Sequence, residues 1–232
     1  MTPELIIYIA TILALVLATF AQIKVSTTFA RYSRTPTATN RTAEEVARMI
    51  LNNNGLSDVR IERVRGNLSD HYDPKSNVLR LSDTVYGNRS AAAIGVAAHE
   101  AGHAIQHAQG YAPVVLRSKM VPITNFASRF TWILIMIGIL ISGFAGLLGY
   151  YVLHIGIALF AVTTLFQLVT LPCEFDASKR ALREMENTGL YSSGELAVSR
   201  KVLSAAAMTY VAALLVSVLQ LARLLLSVNR RR

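Results

Sequence analysis

Residues 130–171 read FTWILIMIGILISGFAGLLGYYVLHIGIALFAVTTLFQLVTL, 42 positions without an aspartate, glutamate, lysine or arginine. His154 is the one titratable group there apart from the tyrosines. As helix the run would measure about 63 Å at 1.5 Å per residue, twice the roughly 30 Å hydrocarbon core of a bilayer. It therefore predicts two crossings joined by a turn. Glycine and interfacial tyrosine coincide at Gly146, Gly149, Tyr150 and Tyr151, and the turn is expected there.

Two further apolar runs lie outward of this hairpin. Leu5 to Ile23 is interrupted by Thr11, Thr19 and Gln22, and Ala205 to Val228 by Gln220 and Arg223. The first run follows Met1 to Glu4, which carry no basic side chain, and no small-x-small cleavage site follows it. It reads as a retained anchor with an external N-terminus, not a signal peptide. Charged residues make up 16% of the chain, against about 25% in soluble domains, as four spans would require. The net charge of +9 collects in segments beside the spans, as the positive-inside rule expects. No basic stripe is interleaved with aromatics, so nucleic acid is not an expected partner. The single cysteine, Cys173, excludes an internal disulfide and a multi-thiolate zinc site.

Between Lys24 and Arg129 the pattern is that of a soluble α+β domain. Thr42 and Glu45 form a capping box for a helix that Gly55 should end. Val59 to Val64 alternates apolar and charged residues as a half-buried strand does, and Asn77 to Leu81 is a second strand candidate after the Asp73-Pro74 turn signal. Ser90 caps an alanine-rich helix from Ala91 to about Ala108, closed by Gly110, and a second capping box stands at Ser192 and Glu195. The expected organisation is an N-terminal anchor over 1–23, a soluble domain over 24–129, a transmembrane hairpin over 130–171, a polar segment over 172–204, and a C-terminal apolar helix with a basic tail over 205–232. The fold class is α+β but mostly helical: an integral membrane protein with about four apolar helices around a small soluble domain.

The alanine-rich helix carries His99-Glu100-Ala101-Gly102-His103, an H-E-x-x-H motif. Residues four apart share a helical face, so both imidazoles can reach one zinc ion. Glu100 projects beside that face, where it can polarise a water on the metal. A hydrolytic zinc site takes three protein ligands and leaves one position open. His107 continues the face, but eight residues from His99 is about 12 Å along the axis, too far for the same ion. Gln106 and Gln109 occupy the positions where a metzincin has glycine and histidine. Glu174 is the best third candidate, with Asp176 beside it. Two crossings separate it from the motif helix, and an even number returns the chain to the same side.

Gly87 to Ser90, Gly95 to Gln106, Asp70 to Pro74 and Leu171 to Ser178 together resemble the YugP-like family of bacterial membrane zinc metallopeptidases. The resemblance extends over nearly the whole chain. It implies a zincin-like catalytic domain and a gluzincin-type site, with His99, His103 and Glu174 holding one Zn2+ per chain and Glu100 as general base. The more remotely similar heat-shock and CAAX-type membrane proteases place an aspartate four residues after the ligand glutamate. Ser178 stands there in this chain, so the residue orienting a zinc-bound imidazole is expected elsewhere, with Asp176 a candidate.

His71 is either an oxyanion donor or a turn histidine. Val78, Leu79, Arg80 and Leu81 either pair with an extended substrate by strand addition or form an ordinary structural strand. Cys173 reads as a small buried residue. His154 and Arg223, unusual at membrane depth, lie near span ends, where interfacial exposure explains them. The expected activity is zinc-dependent endopeptidase cleavage of peptides and of unfolded or membrane proteins, in a multi-pass protein of the bacterial plasma membrane. Lys24 to Arg41 and Lys179 to Arg183 flank spans on the catalytic side and place that domain in the cytoplasm. Four crossings would then leave Arg230, Arg231 and Arg232 outside, unless the last segment does not cross. The alternative is a non-catalytic scaffold with a structural zinc. Such a site normally has four ligands, and with no cysteine in the soluble domain it is hard to assemble. A transporter is disfavoured by the few polar groups inside the spans.

Overall fold

The computed structural model describes residues 3–229 except 143 and 145. Its elements are α1 (Pro3–Tyr32), α2 (Ala43–Asn53), β1 (Arg60–Val64), β2 (His71–Asp73), β3 (Val78–Ser82), α3 (Ala91–Ala108), α4 (Ala112–Ile141), α5 (Leu147–Asn187) and α6 (Ser193–Asn229). Local chemistry sets several of these ends. Glu45 N–H donates to Thr42 Oγ1 at 3.4 Å while Thr42 N–H donates to Glu45 Oε2 at 2.8 Å, closing the capping box of α2. Ser192 and Glu195 repeat the arrangement at the start of α6. Ser90 Oγ accepts the Ala93 N–H at 3.2 Å to open α3, and Gly110, at φ +60°, closes it.

Four helices, α1, α4, α5 and α6, are long and apolar enough to cross a bilayer. Together with the three-stranded sheet they make the chain a mostly helical α+β membrane protein. The turn between α4 and α5 falls at 142–146, and Gly146 adopts φ +47° in it. Gly149, Tyr150 and Tyr151 belong to the first turn of α5, one step later than the sequence suggested.

The chain divides into two compact units, one of Met1–Phe20, Val115–Leu171 and Tyr210–Arg232, the other of Ala21–Val114 and Pro172–Thr209. The expected break at 129/130 is therefore displaced: it falls inside α4, and residues 115–129 belong with the apolar hairpin. Lys119 and Arg129 end the charge-free composition but are good helix formers, so nothing in them stops the backbone ladder. The same reason carries α1 past Ile23, whereas α5 runs past Leu171 with Pro172 inside it, giving up one bond of the ladder. The basic tail at 230–232 lies outside the described residues.

In the first unit Ile135 of α4, Leu153 and Ile157 of α5 and Leu224 of α6 are buried together. Glycine lets α4 and α5 approach, since a Cβ at Gly138 would lie 2.5 Å from the Leu153 nitrogen. Small residues at such crossings are the rule where lipid supplies no hydrophobic drive between helices. In the second unit Val46, Ile50 and Leu51 of α2, Leu79 and Leu81 of β3, Ile94 of α3 and Met185 of α5 share one core. Burying a side chain such as Ile50 contributes about 1.5–3 kcal/mol.

The sheet order is β1-β3-β2, with β1 parallel and β2 antiparallel to β3. This corrects the substrate-pairing expectation for Val78, Leu79, Arg80 and Leu81. They form the central strand: β1 pairs with all four on one side and β2 with Val78, Leu79 and Arg80 on the other, so along those three no edge is free for an added strand. Asp70 anchors the entry to β2: its carboxylate accepts the Ser82 N–H at 2.7 Å and the Ser82 hydroxyl at 2.9 Å. Burial pushes the Asp70 carboxyl up further than these bonds pull it down, and Glu100 adds to the rise.

Two outcomes follow from this packing. A Cβ at Gly102 would stand 2.7 Å from the Ala177 carbonyl oxygen, backbone that cannot rotate away. Gly102→Ala should therefore destabilise the chain by about 1–3 kcal/mol, read as a lowered Tm in detergent. For Asp70 the folded pKa is raised, so its contribution is complete below the unfolded value of about 3.9 and is lost as pH rises through the folded value. Asp70→Asn should gain in Tm relative to wild type as pH rises above about 4, and a difference that stays constant with pH would refute the assignment.

Candidate metal centre

His99 and His103 stand one turn apart on α3, their rings edge to face with centroids 4.7 Å apart. α5 brings Glu174 to the same point, 2% exposed. Glu174 Oε2 lies 3.3 Å from His99 Nε2 and 3.6 Å from His103 Nε2. One ligand atom from each residue falls within 4.8 Å of the others. A tetrahedron with zinc bonds of 2.0–2.2 Å has edges of about 3.3–3.6 Å, so these separations are those of donors around one such ion. Two imidazoles and a carboxylate are also a donor set that zinc accepts. The residues present fit the metal.

The far nitrogen of each ring is also engaged. Gln106 donates both amide hydrogens, to the Cys173 carbonyl and to Asp176 Oδ2, each at 2.8 Å. Both partners can only accept, so the amide has one orientation, with its oxygen 2.9 Å from His103 Nδ1. His103 therefore carries a proton on Nδ1, with Nε2 turned to Glu174. Asp176 in turn accepts from Arg180, whose guanidinium reaches Gln109 at 2.6 Å. His99 Nδ1 meets Ser178 Oγ at 3.1 Å.

This revises the search for an orienting group. Ser178, set aside because it is not an aspartate, is itself the partner of His99. Asp176 acts on His103 only through Gln106, a residue noticed in the sequence only for breaking the metzincin spacing. A signal for both existed: Gln106 is three residues after His103 and Ser178 four after Glu174, each on the face of its helix that carries a ligand.

Glu100 is 8% exposed, and its Oε2 accepts the Tyr72 N–H of β2 at 3.1 Å. Tyr72 thus turns its N–H away from β3, and β2 is the sheet edge beside the motif. His71, its neighbour, is exposed; its ring contacts are Ser69 O at 2.9 Å and Arg80 at 3.5 Å, with none to the ligand set. His107 packs against the Tyr72 ring, centroids 5.6 Å apart. Burial works against a charged His103, yet Glu174, Glu100 and Gln106 hold its pKa above the ordinary value, so the pocket favours a cation.

The sequence model of a family described as "Putative neutral zinc metallopeptidase" matches residues 7–229. The chain belongs to this family. It is also 49% identical over 213 residues, 92% of each chain, to the "Putative membrane protease YugP" of Bacillus subtilis (strain 168). No solved structure matches it. Membership makes the chain a zinc metallopeptidase homologue with four membrane-length helices, and a protease role follows from both likenesses.

The orienting bonds have a measurable consequence. Gln106→Leu should weaken zinc binding about 10–100-fold in competition with a chromophoric chelator, and Ser178→Ala should weaken it in the same direction. Unchanged affinity in both would show that the ring orientations do not depend on these bonds.

Proposed function

We propose that the chain is a zinc-dependent endopeptidase of gluzincin type, with one zinc held by His99, His103 and Glu174 and with Glu100 as general base. The observation that carries this reading is the approach of Glu174 Oε2 to both imidazole Nε2 atoms at tetrahedral-edge distances, all three donors within 4.8 Å, with a buried carboxylate adjoining the histidines in sequence. Zinc at that point supplies a Lewis acid for the scissile carbonyl and lowers the pKa of a water. Glu100 takes the proton of the attacking water and returns it to the leaving amine. The Tyr72 N–H holds one oxygen of Glu100, leaving the other for the proton.

An extended substrate pairs with β2, not β3. Within an antiparallel strand the N–H and C=O of one residue point to the same side, so the Tyr72 carbonyl faces the open edge as its N–H does. That carbonyl is the acceptor for a substrate N–H, and recognition rests on backbone more than side chain. The substrates are peptides and unfolded or membrane proteins. The protein is multi-pass in the bacterial plasma membrane with its catalytic unit in the cytoplasm, because the basic segments 24–41 and 179–183 adjoin its spans. A scaffold with structural zinc is not favoured: the metal-capable group among the described residues has three members, where a closed site takes four.

The deciding comparison is cleavage of an unfolded protein by the full chain in detergent with zinc, against Glu100→Gln. The variant should keep stoichiometric zinc and lose roughly 10²–10⁴-fold in rate. Equal cleavage by both proteins would remove Glu100 from the mechanism, and a variant without zinc would make it a structural residue.

A further inference from the structure

A cavity of about 760 Å³ between α1 and α6 shares no residue with the metal centre. Lys24 and Arg31 line it from α1, Arg200 and Lys201 from α6, and no carboxylate lines it. Among the described residues none of these four cations is in an ion pair. Arg31 and Lys201, from opposite walls, instead lie over the one Tyr32 ring, 5.6 and 5.7 Å from its centroid. A cation held to an aromatic face keeps its full charge for a ligand. Four exposed like charges, none in an ion pair, around one concavity call for an anion.

The same walls specify what the anion is attached to. Lys24 follows directly on the apolar run 5–23, and Ala205 and Met208, which line the cavity, open the run 205–228. Met208 is 49% exposed there. The cavity thus offers a cationic part for a phosphate and an apolar part continuous with the two runs. Cations beside spans would satisfy the positive-inside rule without any ligand. That rule does not require them to line a single cavity from two helices, nor to lack acidic partners. A second cavity of about 480 Å³, with Lys179, Arg183 and Arg200, also contains Glu186 and so is partly compensated.

We propose that this cavity binds the headgroup of an anionic phospholipid, its phosphate among Lys24, Arg31, Arg200 and Lys201 and its acyl chains along Ala205 and Met208. The site is independent of the peptidase reading.

The test is titration of the full chain, in neutral detergent, with dioctanoyl phosphatidylglycerol, dioctanoyl phosphatidylcholine and inorganic phosphate. Phosphatidylglycerol should bind at least tenfold more tightly than either of the others. Replacing Lys24, Arg31, Arg200 and Lys201 together by Gln should weaken it at least tenfold, since each basic residue near an anionic headgroup contributes roughly fivefold. A charge-matched variant with Arg41, Arg60, Arg65 and Lys75 replaced by Gln should stay within about twofold of wild type. If the fourfold variant does not fold, as read from its Tm and zinc content, the single changes Lys24→Gln and Arg200→Gln take its place, each expected to weaken binding several-fold. No binding by wild type, equal loss in the charge-matched variant, or unchanged affinity in the cavity variants would each overturn the proposal. Inorganic phosphate binding as tightly as phosphatidylglycerol would also overturn it, making the cavity a soluble-anion site.

Discussion

At Gly102 the backbone of α3 passes so close to α5 that a Cβ would stand 2.7 Å from the Ala177 carbonyl oxygen. Gly102 is the residue before His103, and Ala177 follows Glu174 by three. The contact therefore fixes both the separation of the two helices and their register where the donors lie. A larger residue at 102 would move α5 outward, and the 3.3 and 3.6 Å separations between Glu174 and the histidines would lengthen together. Ser178 and Asp176 lie on the same turns of α5, so the partners of both rings depend on the same approach. Distances of this order tolerate little displacement, because a bond to zinc is set within about 0.2 Å.

A second tie runs from the sheet. Tyr72 is held in β2 by pairing with Leu79, and its outward N–H reaches Glu100. Asp70, just before β2, is bound twice by Ser82 at the end of β3, which sets where β2 begins. A strand of three residues contributes little pairing energy of its own, and such side-chain bonds at its entry decide its position. Glu100 is thus oriented from the sheet, whereas the histidines of the motif are oriented from α5. Substitutions in the two supports should show different faults, one in rate and the other in metal content.

What the sequence made legible was local. The Thr42 and Ser192 capping boxes, the Ser90 cap and Gly110 stop of α3, and the alternation from Arg60 to Val64 each lie within a few residues and recur in the structure. The apolar runs were visible because lipid demands length and composition, both of which can be read off a chain. Sheet order was not legible. Val78 to Leu81 reads as a strand, but whether it is central or at an edge depends on β1 and on the three-residue β2, which a Pro-containing turn signal concealed. The partners of the histidines were hidden for a similar reason. Gln106 gains meaning only when Cys173 and Asp176 arrive from α5 to fix its amide, and Ser178 only when its hydroxyl meets His99.

The donors are far apart in the chain, and this bears on how the site forms. His99 and Glu174 are 75 residues apart, with the whole apolar hairpin between them. Closing a flexible loop of that length would cost about 4 kcal/mol. The intervening segment is not flexible, however. α4 and α5 are helical nearly throughout and pack on each other through Ile135, Leu153 and Ile157. Hairpin formation therefore removes most of that segment's freedom. Under the proposed ligand set, zinc would then add its free energy to helices already formed, in contrast to small zinc domains whose fold exists only with the metal. The metal-free chain should accordingly keep its helices and core.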